Sequence, residues 1–196
     1  MAHHIYTTDA FILESQLSGE ADRYFTLFTK DFGLIRATAR GVRLAKSKLR
    51  YSLQELSRSR ISLVRGKEVW RITSARIEEN LFSKYRNQKP VLYLIAQIST
   101  LIKRLVGGEE KNEPLFMIVS DVISFLESKT FSDQELKYVE IIAVLRILHN
   151  LGYLRNTSEL QPFVHSGWSD ALLSELEPHK NFALREINTS LRETQL

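Results

Sequence analysis

The chain has 196 residues, 43% hydrophobic and 26% charged, an ordinary balance for a globular protein that buries one large core or two small ones. It contains no cysteine, which excludes disulfides and thiolate metal sites and makes a reducing interior its natural setting. The net charge of +4 is small but uneven: through Asn80 there are 14 Lys and Arg against 9 Asp and Glu, and from Leu81 onward the two signs nearly balance.

In chain order, the first 80 residues predict short β-strands. Residues 10–17 alternate, with Phe11, Leu13 and Leu17 assigned to one face and Glu14 and Gln16 to the other. Ser18-Gly19-Glu20 is a turn, and residues 23–29 form a second strand in which Tyr24, Phe25 and Phe28 favour β structure. Asp31-Phe32-Gly33 closes a hairpin, its glycine supplying the positive φ of such turns, and residues 34–40 are the third strand. After a longer excursion, residues 58–64 place Ile61 and Leu63 inward and Arg58, Arg60 and Ser62 outward. Arg65-Gly66-Lys67 then turns the chain into a fifth strand, residues 69–77. Five short strands with one long connection between the third and fourth predict a small OB-type barrel, with a small open sandwich as the alternative.

From Lys84 the period becomes helical. Pro90 suits a first helical position, and the helix it opens runs to the Gly107-Gly108 stop. Asn112 caps the next, with Leu115, Phe116, Val119, Val122, Ile123 and Leu126 as its apolar stripe. Ser132 and Glu135 have capping-box spacing before KYVEIIAVLRILHNLG, which is apolar nearly all round and so predicts the central helix of a bundle, stopped at Gly152. Residues 168–176 and 180–191 predict two further helices. The expected organisation is α+β: a barrel domain over 1–80, a junction over 81–89 and an all-α domain over 90–196.

The excursion after the third strand carries the strongest chemical signal. Residues 33–50, GLIRATARGVRLAKSKLR, hold Arg36, Arg40, Arg43, Lys46, Lys48 and Arg50 and no acidic residue. Arg36 and Arg40 share one face of a strand, Gly41 breaks it, and the remaining cations follow on what reads as a flexible arm. Such a run suits the phosphates of a nucleic acid; a solvated surface loop is the plain alternative. Tyr51, at the end of the run, is the ring placed outside for a base to stack on; alternation allows at most one of Tyr24 and Phe25 to be exposed, and Trp70 is left open between core and surface.

Other chemistries find little support. His3-His4, His149, His165 and His179 lack the converging partners of a metal site. Asp31-Phe32-Gly33 matches a kinase tripeptide without its companion motifs, and no Walker loop or G-x-S-x-G occurs. Asp9, Glu20, Asp22 and Asp31 would have to gather around magnesium for a nuclease, yet they fall at strand ends and turns. An adaptor whose barrel binds protein or RNA is the other rival. No apolar run approaches a bilayer span and MAHHIYTTDA lacks the pattern of a secretory signal, so a soluble intracellular protein is expected.

Several of these elements fall in a familiar order. Gly19, Glu20, Asp22 and Arg23, then Thr29, Gly33 and Leu34, then Gly41 and the serine-basic stretch Arg43, Lys46, Ser47, Lys48, Leu49 and Arg50 resemble the N-terminal domain of the bacterial recombination mediator RecO family. Residues 145–154, LRILHNLGYL, are similar to the family's leucine-rich helix ending in L-G-Y. The resemblance implies an OB barrel followed by a helical domain, without enzymatic activity or cofactor. It implies binding of single- and double-stranded DNA in the bacterial cytoplasm and annealing of strands coated by single-strand-binding protein. It also implies work with RecR to load RecA. Many family members hold zinc through four cysteines; this chain has none and resembles the zinc-free branch. Lys103, Arg104 and Arg146 are then candidate anchors for the acidic, hydrophobic C-terminal tail of single-strand-binding protein.

Overall fold

The computed structural model describes residues 4–155 and 157–194, so His3 of the histidine pair lies outside the described residues. Two compact units are formed. One runs to Leu92 and takes in Val106–Glu113; the other comprises Tyr93–Leu105 and the chain from Pro114 on.

The first unit is the expected closed five-stranded barrel. Strand β1 (Ile5–Ser18) pairs antiparallel with β2 (Asp22–Thr29), and β2 with β3 (Gly33–Ala39). Strand β4 (Ser57–Arg65) lies antiparallel between β1 and β5 (Trp70–Asn80). Two parallel pairs, Ala37 with Trp70 and Thr38 with Arg71, close the order β1-β2-β3-β5-β4. A seam that narrow has few ladder hydrogen bonds, so closure rests on what fills the interior. Phe25, Leu27, Ile35, Ile61, Leu63, Trp70 and Ile72 meet there, each contributing about 1.5–3 kcal/mol on burial.

Inward Ile61 and Leu63 on β4 follow the alternation. Along β1 the expected face assignment is corrected. Ala10 and Ile12 enter the barrel core, while Phe11, opposite Phe28, is buried outside that cluster. A bulge between Ile12 and Glu14 changes the parity, and Leu17 ends 65% exposed. Strict alternation cannot foresee such an extra residue.

Between β3 and β4 the chain makes a run of turns and one short helix, α1 (Leu49–Ser52). A second short helix, α2 (Leu81–Tyr85), follows β5 and is capped by Asn80, whose side chain accepts from the Ser83 N–H. Helix α3 (Lys89–Leu105) ends at the Gly107-Gly108 stop.

In the second unit α4 (Glu113–Ser128) buries the six-residue stripe expected of it. Helix α5 (Asp133–Asn150) starts at a complete capping box and ends before Gly152 at φ +77°. It buries residues on all sides and packs against both α6 (Gln161–His165) and α7 (Asp170–Glu193), as a central helix must. The two helices expected over 168–176 and 180–191 are instead the single helix α7, which carries Pro178 in its interior. Proline weakens a helix without always ending it, and the buried Leu172, Leu173, Leu176, Ala183 and Ile187 hold this one together across the break.

Candidate nucleic-acid interface

The basic run is not a free arm; it is pinned by its apolar residues and by the β1–β2 turn. Val42 and Leu53 are buried in the barrel core at either end of the segment. Gly41, at φ +63°, donates its N–H to the Asp22 carboxylate at 2.8 Å. The Arg43 N–H bonds the Ala21 carbonyl at 3.0 Å, and its guanidinium donates to the carbonyls of Gly19 and Glu20. Leu44 and Ser47 N–H groups bond back to Gly41 and Leu44, which folds the run into consecutive turns. The Ser59 hydroxyl ties the end of α1 to β4 through the Ser52 carbonyl.

This anchoring leaves the cations outside. Arg36, Arg40, Arg43, Lys46, Lys48 and Arg50 are all exposed, and among the described residues none of the six forms an ion pair. Arg43 is the one spent partly on the backbone of the β1–β2 turn. Tyr51 is 66% exposed beside Arg50. Arg36 stands on the outer face of β3 with its guanidinium 6.0 Å from the Tyr24 ring centre, while Phe25 and Trp70 turn into the core.

Three further residues belong to this region that the sequence does not mark as contacts. Arg71 faces outward beside Thr38, placed there by the β3–β5 closure. Arg23 and Phe82 line a cleft of about 770 Å³ together with Arg43, Arg50 and Glu55. Arg23 stands in the family-like motif and Arg71 as the polar residue between Trp70 and Ile72; which strand Arg71 would neighbour is a tertiary fact.

The acidic residues do not gather. Asp9 faces Arg60 at 3.8 Å, Asp31 accepts from the Thr8 hydroxyl at 2.7 Å, and Asp22 holds Gly41. Among the described residues there is no group of three or more His, Cys, Asp or Glu placed to hold a metal ion. Among the described residues no helix is long and apolar enough to cross a membrane.

In the helical unit Lys103, Arg104 and Arg146 go to separate places. Arg104 lines a groove of about 410 Å³ between α3, α5 and α7, whose floor includes Ile98, Leu101, Ile141 and Ile187 and whose other cations are Lys137 and Lys180. Half-buried Glu140 also lines it, and burial pushes its carboxyl above the usual range. Lys103 is not among the lining residues. Arg146 is buried, donates to the carbonyls of Phe163 and Ser166, and lies 4.3 Å from the Trp168 ring centre. Desolvation lowers its pKa, and its bonds organise the segment after α6.

A closed OB-type barrel with an acid-free cationic loop, followed by helices, defines a class of protein before any relative is consulted. Comparison with known families then narrows it: residues 1–81 match the model described as recombination protein O N terminal. Curated proteins called DNA repair protein RecO are similar over much of the chain. The protein of Dehalococcoides mccartyi is 32% identical over 150 residues, 76% of this chain and 57% of its own. That of Thermodesulfovibrio yellowstonii is 30% identical over 154 residues, 76% of this chain and 58% of its own. That of Pelotomaculum thermopropionicum is 31% identical over 122 residues, 62% and 47%. The chain belongs to the RecO family of DNA repair proteins. It spans about half the length of the curated relatives it matches.

Proposed function

We propose that this chain is a non-enzymatic recombination mediator that binds single- and double-stranded DNA through the loop after β3 and anneals complementary strands. The observation that carries the reading is the segment from β3 through the loop: six exposed cations, Arg36 on the strand and five after it, unopposed by carboxylates among the described residues, on a barrel that anchors the loop. Phosphates take the places of the missing counter-charges, with Arg36, Arg40, Lys46, Lys48 and Arg50 as free donors and Arg43 as part donor, part strut. Tyr51 offers a face for a base. Neutralising backbone charge on two strands lowers their mutual repulsion without reading sequence. No bond is made or broken in that process.

Membership of the family supports RecR as a working partner and RecA as the recipient of the DNA. The acidic, hydrophobic tail of single-strand-binding protein complements the α3–α5–α7 groove, where apolar residues sit among Arg104, Lys137 and Lys180. The test is annealing of two complementary oligonucleotides coated with single-strand-binding protein. The chain accelerates duplex formation if the reading is right; equal rates with and without it would contradict the reading.

A further inference from the structure

The cleft beside the cationic loop has a composition that phosphate contact alone does not require. It is about 770 Å³, within the size range of small-ligand sites, and draws on β1, β2, the basic loop, the segment after α1, and α2. Arg23, Arg43 and Arg50 give it three cations against the single carboxylate of Glu55. That carboxylate is already engaged by the Ser15 N–H at 2.9 Å and the Ser15 hydroxyl at 2.7 Å. Arg23 is held by the same hydroxyl and Arg43 by two carbonyls, while Arg50 has no partner among the described residues. Phe25 contributes an apolar surface from the core. Phe82 lines the cleft too, yet it is 57% exposed and meets no other ring among the described residues.

A large aromatic left in water, lining the same cleft as an unpaired arginine, calls for a ligand with both a π-face and a negative charge. A nucleotide has both. We infer that the cleft receives one unpaired base of a bound strand, stacked on Phe82, with the adjoining phosphate on Arg50. The inference rests on the DNA-binding reading and deepens it. Bases in a duplex have both faces covered and cannot enter, so the cleft discriminates single strands from duplexes, whereas the cationic loop treats both alike. It also suits annealing, because a strand held by its phosphates and one trapped base leaves its other bases free to find a complement.

The experiment uses the full chain and a dT oligonucleotide containing one 2-aminopurine, with a duplex of equal length as comparator. Phe82→Ala is expected to weaken single-strand binding about tenfold and abolish the change in 2-aminopurine emission. Duplex affinity should stay within about twofold of wild type, because electrostatic contacts dominate there. Tyr93→Ala, another exposed aromatic, is the control for lost apolar surface and should change neither. The inference is overturned if Phe82→Ala leaves single-strand binding and emission intact, or lowers single-strand and duplex affinity equally. Loss of the broader DNA-binding reading looks different: wild type itself would bind neither oligonucleotide at moderate salt.

Discussion

Gly33 accepts no side chain for two independent reasons. Its φ is +65°, and a Cβ built there would collide with the Glu110 carbonyl. Gly19 has a similar φ, +64°, but open space around it. The left-handed conformation costs a residue with a Cβ about 1–2 kcal/mol. Gly19→Ala should therefore lose about that much, and Gly33→Ala clearly more, by urea denaturation; equal losses would show the Glu110 contact to be unimportant. The motif residues ahead of the basic stretch thus turn out to be largely architectural. Thr29 donates its hydroxyl to the Gly33 carbonyl and accepts from the Phe32 N–H, Asp22 holds Gly41, and Arg23 bonds Ser15. They build the platform, and the cations beyond them have the free charges.

Among the elements, α5 shows how local chemistry and sequence legibility go together. The Ser132 hydroxyl accepts from the Glu135 N–H, and the Glu135 carboxylate accepts from the Ser132 N–H. Lys129 beside it, with the Ser132 backbone and hydroxyl bonds, lowers the Glu135 carboxyl from 4.5 to about 2. The sign follows from linkage. A depressed carboxyl stabilises the fold fully above pH about 4.5 and loses that contribution as pH falls toward about 2. Ser132→Ala should cost about 1 kcal/mol at neutral pH, and Glu135→Gln should make the acid loss of stability shallower between those values. A midpoint unchanged by Ser132→Ala, or an acid profile unchanged by Glu135→Gln, would contradict this. The capping box was legible because it is written in four consecutive residues. The continuity of α7 through Pro178 and the bulge in β1 were not, because packing partners distant in sequence decide both. The short helices α1, α2 and α6, each of four or five residues, carry too little periodicity to announce themselves.

For the whole molecule, the barrel was legible because hydrophobic alternation and turn residues recur through the first 80 residues, and the cationic loop because it lacks acids. What the sequence hid is how β3 meets β5, and hence that Arg71 lies beside Thr38. It also hid the cleft, to which Ser15, Arg23, Arg50 and Phe82 come from four separate stretches of chain. In the sequence the run reads as a flexible arm, yet two buried residues and four hydrogen bonds to residues 19–22 make it a fixed loop. A fixed array of cations meets phosphates without the entropy cost of ordering a tail, as the proposed binding of many sequences alike requires.

The most direct test of the central claim is the salt dependence of single-stranded DNA affinity for wild type and for the Arg40→Ala/Lys46→Ala/Lys48→Ala variant. Arg43 is left in place because its guanidinium also holds the loop. With three phosphate contacts removed, the slope of log K against log salt should flatten by about 2 and binding should weaken equally for unrelated sequences. A variant that matched wild type in both affinity and slope would show that the DNA lies elsewhere.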